Sequence, residues 1–469
     1  MQKQSLEECK RQIHLDFHTS PFIPDVASEF DAGELARTFR KAHVNSVTIF
    51  AKCHHGMCYY PTRTGVQHPA LAGRDLLGEQ IEALHREGIR CPIYTTVVWE
   101  EDVAQKHPEW RQLTKEGAFA GWTTSANQKD VQPGMWKFNN FLHPDYQDYI
   151  EAHVRELCAN YEIDGLFFDI LFFVPNACWS ESSVRFREKH GFLNDDAGTF
   201  DRFQGAAQSV FVKKFTRLVR GLKPQAGIFY NAQNESNIDA GVGPRARAGE
   251  VTHFEIESLP SGFWGYYHFP RMARQQSHWG KFWFGMTGRF QKMWGDFGGI
   301  KPQAALEFEC FRSQALGGGN SVGDQLPPRG VPDPAAYALI GAVYAQCAEA
   351  EPFYEGSQAL PQIGIFSAGY PGFDGNTAGK SEEGAVQMCE ETHYDAAVLD
   401  SLDKLDAFDL LILPDTTVVT PGLKNKLQTF YKNGGSFLIS YKGGFDADGN
   451  WALDFLPLSF HGEVEKYPT

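Results

Sequence analysis

Gly165-Leu166-Phe167-Phe168-Asp169-Ile170-Leu171-Phe172-Phe173-Val174 is the most apolar run of the chain, and it carries one carboxylate at its centre. An ionised Asp buried without partners costs several kcal/mol, so selection for stability alone does not leave one there. Read as a strand over Gly165–Leu171, the run places Asp169 near the strand's C-terminal end. A nucleophile or an acid/base carboxylate would stand there; the alternative is an Asp that caps the next turn. Asp164, just before the strand in Ile163-Asp164-Gly165, reads as a turn former.

Outward from this run the same kind of segment repeats. Gln12–Phe17, Ser46–Ala51, Arg90–Val98, Gly227–Asn231, Thr252–Glu257, Lys281–Thr287 and Asn320–Gly323 read as short buried strands. Helical patterns lie between them at Glu34–Ala42, Leu76–Glu87, Tyr146–Tyr161, Gln204–Leu222 and Ala304–Leu316. Alternation of this kind predicts a (β/α)8 TIM barrel over residues 10–357. Its largest insertion, Glu100–Pro144, is rich in Trp, Asn, Gln and Gly, as a loop over the barrel mouth would be. From 358 to 469 a second series follows, with strands at Ile363–Phe366, Ala396–Leu399, Leu410–Leu413 and Ser436–Ile439. Helices at Glu382–Glu391 and Lys424–Asn433 complete a small doubly wound, flavodoxin-like α/β domain. It has no GxGxxG, and Ser367-Ala368-Gly369 is too weak a signal for a phosphate loop. The domain therefore reads as an assembly module.

Composition narrows the function. The 469 residues hold 43 Lys+Arg against 58 Asp+Glu, a formal charge of −15, which argues against nucleic acid or an anionic membrane as partner. No stretch of ~18 uncharged apolar residues exists to span a bilayer. Met1–Lys10 lacks the apolar core of a signal peptide. The nine Cys are scattered without a CxxC. Reduced structural thiols in a cytoplasmic protein are expected, with no metal and no cofactor. Aromatic residues make up 14% of the chain, enough both for bulky core packing and for rings that stack on sugar faces.

In a (β/α)8 barrel the functional groups stand at the C-terminal ends of strands. On the sixth strand, His253-Phe254-Glu255-Ile256-Glu257 alternates, so Glu255 and Glu257 share a face. Together with Asp169 they offer the pair of carboxyl groups that glycoside hydrolysis requires. Glu257, nearer the strand end, is the better candidate acid, with Glu255 as the alternative. Polar groups mark the other strand ends as well. His14, Asp16 and His18 alternate on the first strand, and His54 and His55 follow the second. Trp99 follows the third and Asn231 the fifth, while the seventh leads into Arg289 and Trp294. His18, His54, His55, Asn231 and Arg289 are candidate hydroxyl ligands; Trp99 and Trp294 are candidate stacking surfaces.

These residues resemble those of known glycosidases. Ala51-Lys52-Cys53-His54-His55-Gly56 is similar to the Lys-His-His motif of family 29 α-L-fucosidases, with Cys53 inserted. The wider pattern resembles family 151 glycoside hydrolases. It comprises His107-Pro108-Glu109-Trp110, Asp164-Gly165-Leu166-Phe167-Phe168-Asp169, Phe254-Glu255-Ile256-Glu257 and Thr287-Gly288-Arg289-Phe290. The resemblance implies a retaining exo-α-L-fucosidase with Asp169 as nucleophile and a fucosylated oligosaccharide as substrate. A β-galactosidase-like enzyme and a catalytically silent sugar-binding protein are the alternatives. The second domain resembles the trimerisation domain of family 42 β-galactosidases, which implies a homo-oligomer of trimer type. Members of this group usually continue into a C-terminal β-sandwich, so a chain ending at Thr469 is expected to be a short form.

Overall fold

The computed structural model describes residues 6–121, 136–231, 243–367 and 379–462. The chain divides into two compact units, Met1–Gln358 and Ala359–Thr469. Of the segments named above, 122–135 of the Glu100–Pro144 insertion lie outside the described residues, as do 368 and 369 of the Ser367 segment.

The first unit is built on eight parallel strands: β1 (Arg11–Asp16), β2 (Ser46–Lys52), β3 (Pro92–Thr96), β4 (Gly165–Asp169), β5 (Gly227–Tyr230), β6 (His253–Glu257), β7 (Phe282–Gly288) and β8 (Gly319–Gln325). They pair in the order β5-β4-β3-β2-β1-β8-β7-β6. The gap between β5 and β6 is bridged by Thr252, whose N–H reaches the Ile228 carbonyl at 3.0 Å. Its Oγ1 accepts from the Ile228 N–H at 2.8 Å. A nearly closed parallel barrel results, as the alternating strand and helix segments predict.

Helices α1 (Ala32–Lys41), α2 (Leu76–Arg86), α3 (Glu101–Lys106), α4 (Pro144–Asn160), α5 (Glu181–His190), α6 (Ala197–Leu222), α7 (His268–Gln276), α8 (Gln303–Ala315) and α9 (Pro334–Tyr354) surround it. Capping residues set several of their starts. Asp31 accepts the Glu34 N–H at 2.7 Å, and Asp75 the Gly78 N–H at 2.8 Å. Each such cap stabilises its helix by about 1 kcal/mol. In α6, Phe203, Ala207, Phe211 and Phe215 recur every four residues and are fully buried. A buried Phe contributes about 1.5–3 kcal/mol, so this stripe is what fixes α6 to the barrel.

Alternation along the strands stacks the barrel interior in layers. A lower polar layer joins Gln12 to Glu255 at 3.0 Å and to Ser321 at 3.1 Å, with Ser46 donating to Gln12 at 3.1 Å. Above it lies an aromatic layer, in which Phe50 stacks on Tyr94 at 3.7 Å and Phe167 meets His14 at 4.9 Å. Asp16, Thr96, Asp169, Asn231 and Glu257 occupy the next inward positions, at the mouth.

In the second unit, β9 (Ile363–Phe366), β10 (Ala396–Leu399), β11 (Leu410–Leu413) and β12 (Ser436–Ile439) form a parallel sheet in the order β10-β9-β11-β12. Helices α10 (Lys380–Glu391) and α11 (Pro421–Lys432) accompany it. Among the described residues, no helix of either unit is long and apolar enough to cross a membrane.

One buried ion pair braces the barrel at β2. Lys52 Nζ lies 2.7 Å from Glu100 Oε2, and neither side chain has any exposure. Tyr146 and Tyr149 donate to the same carboxylate at 3.1 and 2.6 Å. Removing one partner of such a pair strands a charge, which typically costs about 3–5 kcal/mol. Lys52→Met should therefore lower the urea midpoint sharply. Combined with Glu100→Gln, it should cost clearly less than the two single losses together.

Candidate active site

Asp169 closes β4 opposite Thr96 of β3, and Asn231 follows β5 directly. The backbone holds these ends together. Asn231 N–H bonds to the Phe168 carbonyl at 2.8 Å, and Leu171 N–H to the Asn231 carbonyl at 3.2 Å. Between them Ile170 adopts φ 59, the left-handed region that a β-branched side chain rarely enters. Strain of this kind costs about 1–3 kcal/mol and persists only where the surroundings enforce it. Here the Asp169 and Ile170 carbonyls accept from Val97 and Val98 at 2.9 and 3.1 Å. The turn leads the chain away immediately after Asp169, while its carboxylate stays at the barrel mouth.

The Asn231 amide bridges two carboxyl groups. Nδ2 donates to Asp169 Oδ1 at 2.9 Å and to Glu257 Oε2 at 3.2 Å. Because both bonds start on one nitrogen, these two oxygens are at most about 6 Å apart. Tyr94 adds a donor to Asp169 Oδ2 at 2.6 Å. Burial raises the pKa of Asp169, and the hydrogen bonds from Tyr94 and Asn231 oppose that rise. Burial also lifts Glu257, to about 7, with Asn231 opposing and the Asp169 charge adding to the rise. Asp169 is thus the better supported anion and Glu257 the group that keeps a proton near neutral pH.

Histidines form one wall. His18 and His54 stack at 4.1 Å, and the His54 N–H donates to His18 Nδ1 at 3.2 Å. His54 Nδ1 lies 2.8 Å from Thr96 Oγ1, whose hydroxyl donates to the Trp99 carbonyl at 2.6 Å. That assigns the proton to Nδ1 and leaves Nε2 as an acceptor, 3.8 Å from Asp169 Oδ2. Burial pushes His54 down to about 3 and His18 well below its usual range, so both rings are neutral. His55 is also lowered by burial, to about 4. The Trp136 ring lies 4.4 Å from His55 and 5.4 Å from His54. Trp99 meets His54 edge-on at 5.0 Å. Beside this wall Asp16, whose Oδ1 lies 3.9 Å from His18 Nε2, accepts from Trp294 Nε1 and lies 3.4 Å from His14. Although burial disfavours its charge, His14 is raised by this contact with Asp16.

Two of the expected site residues are engaged elsewhere. Glu255 belongs to the lower polar layer, where Gln12 donates to it at 3.0 Å and His253 lies 3.2 Å away. It shares a face with Glu257 but sits two residues deeper, so the structure brings Glu257 to Asp169 and leaves Glu255 in the barrel floor. Arg289 donates through Nε to Asp324 at 2.8 Å and through Nη1 to the carbonyls of Phe297 and Gly299 at 2.9 and 2.7 Å. It braces the loop that carries Trp294 instead of offering those donors to a ligand. Gly323 lets that loop approach, since a Cβ there would come within 2.2 Å of the Trp294 ring. Tyr94, Trp136 and the Lys52–Glu100 pair escape a reading confined to strand ends. Tyr94 alone had a local signal, as an inward polar aromatic one turn of the pleat below Thr96.

The chain is similar to known carbohydrate enzymes. Residues 31–170 match the model of a family described as hypothetical glycosyl hydrolase 6. The fold superposes on an α-L-fucosidase, isoenzyme 2 from Paenibacillus thiaminolyticus, with a TM-score of 0.84 and 33% identity. The match covers 94% of this chain and 65% of that one, so this chain spans 65% of that enzyme's length. A β-galactosidase from Rahnella sp. R3 superposes with a TM-score of 0.69 at 13% identity, over 92% of this chain and 71% of that one. Gan42B, a GH42 β-galactosidase from G. stearothermophilus, gives 0.69 at 13% identity, over 94% and 73%. At that identity the likeness is one of fold, a TIM barrel with a small α/β unit. No curated protein sequence matches.

The raised pKa of Glu257 makes stability depend on pH. An unfolded Glu titrates near its ordinary 4.5, the folded one near 7. Between those values the folded protein keeps a proton that the unfolded chain has lost, so stability is greatest below the window and falls as pH rises through it. The loss is on the order of 3 kcal/mol. Glu257→Gln should flatten the fall in urea midpoint that the wild-type protein shows between about pH 4.5 and 7.

Proposed function

We propose that this protein is a retaining glycoside hydrolase of the family 151 type that releases a terminal α-L-fucosyl residue from fucosylated oligosaccharides. The observation that carries the reading is the Asn231 amide shared between Asp169 and Glu257. Two carboxyl groups this close, with the proton favoured on one of them, suit a double displacement. Asp169 attacks the anomeric carbon as Glu257 Oε–H protonates the leaving oxygen, giving a covalent glycosyl-enzyme and a free aglycone. Glu257, now a carboxylate, takes a proton from water as that water displaces Asp169. Tyr94 and Asn231 hold the Asp169 carboxylate in line through both steps.

Specificity rests on the walls. Neutral His18 and His54 offer ring nitrogens to sugar hydroxyls without competing for the proton on Glu257. Asp16 and Trp294 adjoin them with an acceptor and an indole surface, which suit a hydroxyl and an apolar 6-methyl edge. The resemblance to an α-L-fucosidase at 33% identity supports fucose as the sugar.

Asp169→Ala should reduce turnover of 4-nitrophenyl α-L-fucoside by at least about 10³-fold. Near-wild-type turnover, or selective hydrolysis of a β-galactoside in a nitrophenyl glycoside panel, overturns the reading. Proton NMR of the first product should show α-fucose before mutarotation; β-fucose would mean inversion. The rate should also fall above about pH 7 as Glu257 loses its proton, and Glu257→Gln should abolish that limb while depressing the rate throughout.

A further inference from the structure

A second cavity lies beside the loop that follows β4. It encloses about 430 Å3 between the excursion after β3 and the loops that lead into α5 and α6. That volume falls within the ~300–1,000 Å3 range of small-molecule pockets. Its walls are tied together. Asp195 accepts from Lys115 of the β3 excursion and from Arg187 of α5, the latter at 3.0 Å. The Trp179 N–H bonds to the Leu113 carbonyl at 3.0 Å. The Arg187 guanidinium lies 4.1 Å from the Trp179 ring centroid. A cavity cross-linked in this way needs little ordering when a ligand enters.

Its chemistry excludes two ligand classes. The cations Lys115 and Arg187 share the one carboxylate of Asp195, and Glu116 and Asp196 bring the lining to three carboxylates against two cations, so an anion meets a net negative surface. The many polar groups make poor partners for an apolar ligand. A neutral polyhydroxylated molecule suits this lining, with the amides of Asn176 and Asn194 for hydroxyls and, for C–H faces, the Phe200 ring and the part of Trp179 that Lys115 and Arg187 leave uncovered. Asn176 follows Asp169 by only seven positions, a reach of at most about 25 Å even if fully extended. Phe172 lies between Asp169 and Asn176 along the chain, its ring 6.2 Å from Trp99 and its carbonyl held by Gln112 at 3.0 Å.

We infer that this cavity is a secondary saccharide site, holding a neutral sugar residue of the same glycan whose terminal residue sits at Asp169 and Glu257. The inference rests on the glycosidase reading. Its test compares substrates of different length. Trp179→Ala and Asn176→Gly, the latter keeping a residue at ease with φ 63, are assayed on 4-nitrophenyl α-L-fucoside and on 2′- and 3-fucosyllactose. Each variant should lose about tenfold in kcat/KM on the fucosyllactoses and stay within about twofold on the aryl glycoside. Lys115→Ala, at the exposed lip, should give a smaller loss of the same kind. Equal losses on both substrates, or none, overturn the proposal.

A binding arm separates this failure from failure of the glycosidase reading. Lactose and the two fucosyllactoses are titrated into Asp169→Asn by calorimetry, where no turnover is needed. Binding that Trp179→Ala and Asn176→Gly both weaken supports the site even if no glycoside is hydrolysed. Binding that neither variant alters, or absence of binding by all three sugars, overturns it.

Discussion

Two carboxyl groups buried within about 6 Å of each other repel when both are ionised, and the arrangement of this barrel mouth follows from that conflict. The Asn231 amide has two hydrogens and gives one to each group. Tyr94 then breaks the symmetry by adding a second donor to Asp169 alone. A charge held by two donors is better tolerated than one held by a single donor, so the proton is displaced toward Glu257. Burial keeps His18 and His54 neutral, so neither ring competes for that proton. The backbone ties between the ends of β3, β4 and β5 fix the distances on which all of this depends.

Much of the barrel is legible in the sequence because each strand is a local event. Gly165–Asp169, Ser46–Lys52 and Gly227–Tyr230 are short runs buried on both faces, and such runs announce themselves without reference to distant residues. Asp169 is legible for the same reason, since a lone carboxylate in that setting is an anomaly of composition. The long helix Pro334–Tyr354 is harder to read, because its Ala-rich sequence is apolar over much of its circumference and leaves no clear stripe. It is stabilised by its packing against α8 and α1.

The site is legible only in part, because alternation along a strand gives the face of a side chain but not its depth. Glu255 and Glu257 satisfy the same periodicity, yet one joins the hydrogen-bonded floor and the other the mouth. Which depth opens onto solvent depends on where eight strands end relative to one another, a property of the barrel's stagger. Arg289 illustrates a second limit. A cation after a strand can face a ligand or tie down its own loop, and its partners, Asp324 and two backbone carbonyls, come from β8 and from the loop itself. Trp136 shows a third, since nothing near position 136 marks it as a neighbour of His54 and His55, 81 to 82 positions earlier.

All nine cysteines are buried as free thiols. Reagents that alkylate thiols attack the exposed thiolate, so the folded molecule offers them almost nothing. Each unit then carries its own internal reporter, because a cysteine becomes reactive only when the segment around it opens. Cys53 and Cys58 would time the opening of the β2 end, Cys310 and Cys347 that of the α8–α9 layer, and Cys389 that of the second unit. A single cysteine introduced on the surface would, conversely, be the one position that a dye or spin label modifies in the native protein.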